Sequence, residues 1–290
     1  MKKLNAELIV VIGVIFVSFS SILIKASSAP ALIIATYRLV FTVLLIAPSA
    51  LSKSVHEFKR IDKKSLLITM FSGVLLALHF ATWITSIKFT SVASAAVLVN
   101  THPIFVVILS FYVFKERINS KAFISILLTL IGGIIVSAGD RTLGSNIFFG
   151  DTLAILGAVF ISGYMIIGRI IRKKLSVTAY TFIVYLSCST TLLLLDILTK
   201  TPLFPYEFKE WVIFLSLAVF CTILGHSIFN WALGYVKPAF LSVTILGEPI
   251  FATIWAALIF FEFPNAWNAI GSIIIIIGIY MFSKSENKTA

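Results

Sequence analysis

Two pairs of adjacent residues, His102-Pro103 and Glu248-Pro249, place an ionisable side chain beside a proline inside a long apolar run. They open the related stretches HPIFVVILSFYVFKE and EPIFATIWAALIFFE, which lie 146 residues apart and share Pro-Ile-Phe and a final Glu. Proline lacks an N–H and clashes with the carbonyl four residues earlier, so each should kink its helix and free a carbonyl. Ionisable groups beside freed carbonyls could bind a polar solute or exchange a proton.

Glu248 has two functional interpretations and one structural interpretation. A charged side chain at the centre of a bilayer costs about 2.5–3.5 kcal/mol on insertion scales, so such residues usually serve a function. The carboxyl could take up and release a proton near neutral pH, or it could pair with a histidine or hold the ammonium group of a substrate. Otherwise it only accepts hydrogen bonds from nearby backbone or hydroxyl groups.

Other polar and aromatic residues lie at similar depth in the apolar runs. His79 and Trp83 are four residues apart, as are His226 and Asn230, so each pair should share a helix face. Rigid rings such as that of Tyr164 suit an apolar or aromatic solute that has a polar head. We therefore expect a substrate-binding cavity lined by His79, Trp83, Asn100, His102, Tyr164, His226, Asn230, Trp231 and Glu248.

The sequence predicts no catalytic centre, no metal site and no cofactor. The three histidines of the expected cavity lie on separate runs and form no HxxxH or HExxH motif, which disfavours a metal site. Cys188 and Cys221 lie in apolar runs without a CxxC motif, which fits buried hydrophobes better than a disulfide or a zinc site. The sequence also lacks a P-loop, which excludes a nucleotide-driven pump.

Composition identifies the chain as a membrane protein. Hydrophobic residues make up 59% of the 290 residues and charged residues 12%, with a mean hydropathy of +1.06. A soluble domain has about 25% charged residues, so this chain could not cover a water-facing surface. The net charge of +11 does not indicate nucleic-acid binding, because the basic residues fall in short segments between apolar runs.

Ten apolar runs are long enough to cross a bilayer, which takes about 20 residues. We expect an all-α polytopic fold with spans 1 to 10 at residues 5–25, 31–51, 65–87, 91–114, 118–138, 149–170, 177–198, 210–234, 237–261 and 264–283. With both termini in the cytoplasm, 17 of the 23 Lys and Arg residues lie on the inner side and 5 on the outer side. This asymmetry follows the positive-inside rule and is consistent with a multi-pass protein that has ten spans and both termini in the cytoplasm.

The 146-residue offset divides the chain into two halves, 1–143 and 144–290, with five spans each. Because five is odd, the second half enters the membrane from the opposite side, which gives an inverted-topology repeat. Such repeats place substrate sites near the midplane, at the interface between the halves. His102 and Glu248 are equivalent under this repeat, so they should lie at matched depth.

Both halves contain the pattern P-x(12)-E, at Pro103 with Glu116 and at Pro249 with Glu262, followed by a glycine-containing span. Together with the two sets of five spans, and with Arg38 inside span 2, this pattern resembles two EamA domains of the drug/metabolite transporter superfamily. The resemblance implies a permease of the cytoplasmic membrane, often an exporter of amino acids, metabolites or drugs and in some cases linked to the proton gradient.

The resemblance also implies a central cavity lined mainly by spans 1, 3, 4, 6, 8 and 9. The segment LHFATWITSIKFTSVASAAVL (78–98) is similar to the third-to-fourth span region of these proteins. Arg38 has no basic counterpart in span 7, where Tyr180-Thr181-Phe182 falls. The two halves are therefore not expected to be functionally equivalent.

Two other classes of function compete with a transporter. An intramembrane enzyme would need a GxSx motif with a neighbouring histidine or paired aspartates, and Asp140 and Asp151 form no DxxD motif. A channel would need rings of charge or carbonyls, and nothing repeats at filter spacing. The expected function is export of a small metabolite, such as an amino acid or related amphipathic compound, by alternating access and with proton coupling as an option. The alternative is an intramembrane enzyme or passive channel acting on a small apolar solute.

The expected partners are a small-molecule substrate and the lipid bilayer, with protons added if Glu248 exchanges them, and no nucleic acid. A stripe of small residues spaced four apart on span 6 permits close approach of helices. It comprises Gly150, Ala154, Ala158 and Ser162. Packing within the chain is the favoured use and a dimer face the alternative, so we expect a monomer or a homodimer.

Overall fold

The computed structural model describes residues 2–86, 89, 95, 98–138, 146–260 and 266–287, and these residues form helices and short connections without any strand. The helices of the first half are α1 (Lys2–Ala26), α2 (Ala31–Lys53), α3 (Val55–Arg60), α4 (Lys63–Ser86), α5 (His102–Phe114) and α6 (Ser120–Ala138). Those of the second half are α7 (Ile147–Ile171), α8 (Val177–Leu198), α9 (Phe208–Ser216), α10 (Ser227–Ala232), α11 (Pro238–Ile245), α12 (Glu248–Phe260) and α13 (Ala266–Asn287). A π-helical segment, Leu217–His226, joins α9 to α10.

Seven helical segments of the described chain are long and apolar enough to cross a bilayer. They are Ala6–Ile24, Ala31–Lys53, Lys63–Ser86, Ile147–Ile171, Val177–Leu198, Phe208–Ala232 and Pro238–Ile259. Three shorter apolar helices, His102–Phe114, Ser120–Ile135 and Ala269–Ser285, correspond to spans 4, 5 and 10. The predicted all-α, ten-span fold is confirmed for the described residues. Glu262, which should close span 9, lies outside them.

The two halves repeat the same set of helices. α1 and α7 each have 25 residues, and α5 and α12 each have 13. Helix contacts repeat as well, because α4 packs on α7 as the π-helical segment packs on α1, and α5 packs on α7 as α12 packs on α1. α6 and α13, the last span of each half, pack along each other. This exchange of partners is the pattern of two five-helix repeats with inverted topology.

Spans 4 and 9 break where the sequence predicts a kink. α5 begins at His102 and α12 at Glu248, so Pro103 and Pro249 occupy the second position of a new helix. Proline is well tolerated in a first helical turn, because its missing N–H would have no partner there. The expected bend of a continuous helix is therefore wrong in detail: each proline starts a half-helix after a turn.

The two breaks use equivalent hydrogen bonds. Thr101 N–H donates to Leu98 O over 3.1 Å in the first half, and Gly247 N–H donates to Thr244 O over 3.0 Å in the second. The carbonyl of Val99, which the first proline was expected to free, faces Nδ1 of His102 at 3.2 Å. The symmetry of the sequence thus extends to the backbone geometry of both breaks.

Gly73 of α4 packs against the backbone of α8, and a larger side chain there should destabilise the protein. A Cβ at Gly73 would lie 2.4 Å from Val184 O and 3.0 Å from Cys188 N. Backbone atoms of a packed helix cannot move aside cheaply, so we expect Gly73→Ala to cost about 1–3 kcal/mol of stability. A thermal melt in detergent measures the loss.

Gly133→Ala is the matched control, because no atom of the residues that the structure describes lies within 4 Å of a Cβ at Gly133 in α6. Alanine is the better helix former, so this variant should melt at the wild-type temperature or slightly above it. A Gly73→Ala protein as stable as the Gly133→Ala protein would contradict the close approach of α4 and α8.

Candidate functional site

A cavity lies between the two halves, at the level of the breaks in spans 4 and 9. Its walls come from spans 1, 3, 4, 6, 8 and 9, the set that the resemblance implies, with Arg38 added from span 2. Apolar side chains cover much of the wall, among them Phe80, Ile161, Met165 and Phe229. A concave, largely apolar cavity with a few polar groups is the usual form of a small-molecule site.

The cavity brings together seven of the nine residues that the sequence placed in it. They are His79, Trp83, Asn100, His102, Tyr164, His226 and Glu248. The other two, Asn230 and Trp231, are not part of its lining. The i, i+4 pairing holds for His79 and Trp83, whose rings stack at 6.0 Å, but not for His226 and Asn230.

Asn230 lies one layer behind the cavity wall and is fully buried. Its Oδ1 accepts from the hydroxyl of Tyr164 at 2.6 Å, and its Nδ2 donates to the hydroxyl of Tyr185 at 3.1 Å. Tyr164 itself lines the cavity, so Asn230 holds a cavity residue in place and does not face the cavity itself.

The helix face that span 8 turns to the cavity explains why Asn230 and Trp231 lie off the wall. The lining residues of this span are His226, Phe229 and Leu233, which share one side of a helix. Asn230 and Trp231 point to the neighbouring sides, and the ring of Trp231 packs on Tyr235 at 4.8 Å. The predicted face therefore shares His226 with the observed one but continues to Asn230 and Trp231 in place of Phe229 and Leu233.

Arg38 is the cavity residue that the expected site omitted. Its side chain is only 2% exposed, its Nε donates to Thr222 Oγ1 at 2.7 Å, and its Nη1 donates to Ser20 Oγ at 3.2 Å. The guanidinium lies over the ring of Phe80, 4.9 Å from the centroid. Its signal in the sequence was a lone basic residue at membrane depth, which usually marks a functional position.

The π-helical segment supplies the residue that holds Arg38. In this segment Thr222 Oγ1 also lies 3.2 Å from Leu217 O, five residues earlier, and the N–H of Ser227 donates to Thr222 O. π-helical turns are rare and occur frequently at functional sites. The contact between Arg38 and Thr222 therefore joins span 2 of the first half to an irregular turn of the second half.

Two cavity histidines are fixed by backbone carbonyls. Nδ1 of His79 lies 2.9 Å from Gly157 O, and Nδ1 of His102 lies 3.2 Å from Val99 O. A carbonyl only accepts, so Nδ1 of each ring donates and Nε2 is left as an acceptor in the neutral ring. His226 instead contacts the rings of Phe80 and Phe229, each at 5.8 Å. No group of three or more side chains suited to hold a metal ion occurs among the described residues.

Glu248 faces the cavity from the first position of α12. Within the described chain, its carboxyl makes no hydrogen bond and no ion pair, and Arg38 lines the same cavity. The site therefore combines one guanidinium, one carboxyl and three imidazoles with aromatic walls. Such a set can bind both ends of a zwitterion or exchange a proton.

Arg169, in the last turn of α7, and Arg172, just after α7, connect several spans at one end of the bundle. We call this end the basic end, because α2 ends there at Lys53 and α4 begins there at Lys63. Arg169 lies 3.8 Å from Glu116, which follows α5, and donates to Val236 O, which follows α10. Arg172 Nε donates to Asn230 O at 3.0 Å. These contacts join spans 4, 6 and 8 at the basic end.

Comparison with known proteins identifies relatives along the whole chain. A transporter of Archaeoglobus fulgidus described as uncharacterized is 26% identical over 265 residues, which cover 87% of this chain and 89% of that protein. The pseudopaline exporter CntI of Pseudomonas aeruginosa is 22% identical over 286 residues, or 97% of each chain. One crystal structure superposes with a TM-score of 0.82 over 99% of both chains at 17% identity, which shows the shared fold.

The profile of the EamA-like transporter family matches residues 4–138 and again residues 148–284. The two matches cover most of both halves, and the ten apolar helices fit a multi-pass membrane protein. The chain therefore belongs to the EamA-like transporter family.

Proposed function

We propose that this protein is a secondary transporter that exports a small amphipathic metabolite, such as an amino acid or a related compound, from the cytoplasm. The observation that carries the proposal is the cavity between the halves, in which Arg38 and Glu248 present opposite charges among aromatic rings. A passive hydrophobic channel has no use for such a pair of buried charges. The name of the Pseudomonas relative, an exporter, supports the outward direction.

Alternating access is the mechanism that the repeat favours. Spans 3, 4 and 6 form one set of packed helices and spans 8, 9 and 1 the matching set, so these two sets can rock about the site and exchange roles. In this proposal, the contacts of Arg169 and Arg172 keep the cavity closed at the basic end. Breaking these contacts and forming closing contacts at the other end would expose the cavity to the cytoplasm.

Proton coupling is assigned to Glu248. Its carboxyl has no protein partner among the described residues and lies in the same cavity as Arg38, so its charge state changes the field at the substrate site. A transporter that lets protons in as substrate leaves needs one group that alternately holds a proton and releases it. His102 occupies the equivalent position of the first half, but its Nδ1 is already directed at a backbone carbonyl.

Proteoliposomes test the function directly. Purified protein reconstituted with radiolabelled amino acids should give saturable flux that protein-free liposomes lack, and the solute should emerge unchanged. Chemically altered solute would indicate an intramembrane enzyme, and flux that rises linearly without saturation would indicate a passive channel. Either result would contradict the proposal.

The proposed orientation has its own prediction. A reporter fused after Ser283 should lie in the cytoplasm, because 17 of the 23 basic residues lie on that side in the ten-span topology. A reporter inserted after Lys200, in the connection between α8 and α9, should lie on the outside. Activity and labelling assays of both fusions check the pair, and two signals from the same side would contradict the topology.

A further inference from the structure

We infer that the transported solute carries a carboxylate, and that Arg38 together with Trp83 forms the subsite that binds it. The inference rests on the proposed function, since it names the class of solute that the same cavity takes. It goes beyond that function by assigning one end of the solute to two particular donors.

The first support is the unused donor of Arg38. A guanidinium has five N–H donors in a planar fork. Nε is directed at Thr222 and Nη1 at Ser20, while Nη2 is buried and makes no hydrogen bond within the described chain. A buried donor without a hydrogen-bond partner destabilises the protein, and more so when it is charged. We therefore expect a group of the solute to accept a hydrogen bond from Nη2 during transport.

The second support is independent and comes from span 3. Nε1 of Trp83 is also a buried donor without a hydrogen-bond partner in the described part of the chain, and Trp83 lines the same cavity. Its ring is held by stacking on His79 at 6.0 Å. The two oxygens of one carboxylate can accept from both of these donors. Among the described residues, the lining also has an unpaired acceptor, Nε2 of His102, which is left for a donor of the solute such as its amino group.

The charge of the lining favours a carboxylate over a phosphate. Arg38 is the one Lys or Arg among the residues that line the described cavity, and Glu248 adds a carboxyl to the same lining. A phosphate with nearly two negative charges would be repelled by Glu248 and would have a single cation for support. A carboxylate on Arg38 leaves Glu248 for the amino group of the solute.

The position of Arg38 is fixed from three sides, as a binding residue requires. Thr222 and Ser20 hold two of its nitrogens, and the ring of Phe80 supports the face of the guanidinium at 4.9 Å. These contacts come from spans 8, 1 and 3, so the fork cannot rotate to satisfy Nη2 elsewhere. The free edge is therefore preorganised for an incoming group.

Matched ligands test the subsite in the full-length protein in nanodiscs. The probes are the twenty amino acids, and for each one that binds its primary amide, which keeps the side chain and amino group but loses the negative charge. L-phenylalanine with L-phenylalaninamide is the first pair, because the cavity walls are aromatic. Isothermal titration should give at least a roughly tenfold preference for the acid in the wild-type protein.

Arg38→Gln should remove the preference, so that the acid and the amide bind with about equal affinity. Trp83→Phe, which keeps the ring and removes the donor, should reduce it to a smaller extent and decides the matter if Arg38→Gln does not fold. Arg117→Gln is the control, because it removes an exposed arginine beyond the end of α5 and should keep the wild-type preference.

Several outcomes would overturn the subsite. The first two are equal affinity of the wild-type protein for acid and amide, and no binding of any of the twenty acids. The third is an acid preference that folded Arg38→Gln retains. If Arg38→Gln does not fold, an acid preference that Trp83→Phe retains in full has the same meaning. Tighter binding of 1-amino-2-phenylethylphosphonate than of phenylalanine would also overturn it in favour of a phosphate group. Saturable flux of amides without a preference for acids would contradict the carboxylate subsite and support the transporter function. Acid binding without flux would support the subsite and contradict the transporter function.

Discussion

Glu248→Gln should abolish pH-driven exchange while the protein still folds. Glutamine has nearly the shape of glutamate but cannot take up or release a proton in this range, and the carboxyl it replaces has no protein partner among the described residues. Nothing in the packing is therefore lost. In proteoliposomes with an imposed pH gradient, gradient-driven flux should fall to the level of protein-free vesicles, while exchange of labelled for unlabelled substrate continues.

Two variants bracket this result. Glu248→Asp keeps an acid at the first position of α12 and should retain part of the pH dependence. Glu207→Gln removes an exposed carboxyl just before α9 and should behave as wild type. Unchanged flux and unchanged pH dependence in Glu248→Gln would remove the proton-site hypothesis and leave the amino-group role of this residue.

Tyr164→Phe should slow substrate flux by roughly tenfold or more, although its effect on stability is ordinary. Tyr164 lines the cavity and its hydroxyl donates to Asn230 over 2.6 Å, so phenylalanine leaves a buried acceptor unpaired beside the substrate. Losing one buried hydrogen bond costs about 1–3 kcal/mol. Because Asn230 also accepts from Arg172 through its backbone, a change at Tyr164 should reach the basic end.

Tyr180→Phe is the matched control for Tyr164→Phe. Tyr180 is equally buried, and its hydroxyl lies 3.0 Å from Ser72 Oγ, between α4 and α8 and away from the cavity lining. Both variants should lower the melting temperature by a similar amount, but only Tyr164→Phe should slow flux. Parallel losses of flux in the two variants would reduce the role of Tyr164 to stability.

Much of the fold followed from hydrophobic run length and the internal repeat. Ten runs of about the bilayer length, with five per half, leave few arrangements other than an inverted repeat. The kinks at Pro103 and Pro249 were located correctly, yet their form was not. A proline is compatible both with a bend inside a helix and with the first turn of a new one, and tertiary packing decides between them.

The cavity residues were predictable where a polar group at membrane depth faces the cavity and does not serve to hold another side chain in place. That criterion located His79, His102 and Glu248. It did not distinguish Asn230 from a lining residue, because a buried amide can serve the cavity or hold the wall in place. Arg38 met the same criterion but lay in span 2, outside the set of spans that the resemblance assigns to the cavity.

Helix phase limited the prediction of span 8. Lys63–Ser86 has 24 residues and its repeat counterpart Phe208–Ala232 has 25. Within this span, the π-helical segment Leu217–His226 makes turns wider than 3.6 residues. The sequence does not decide between Phe229 and Asn230, because positions i+3 and i+4 from His226 lie on the same face of a helix.

The contacts at the basic end give the two end states of the transport cycle unequal free energies. In a repeat with identical halves, the inward-open and outward-open states would be equally populated. By the 145-residue offset between α1 and α7, Arg169 and Arg172 correspond to Ile24 and Ser27, which cannot form the same ties at the other end. The empty protein should therefore rest closed toward the cytoplasm. In the proposed export cycle, loading of cargo, and not its release, should then be the slow step of each turnover.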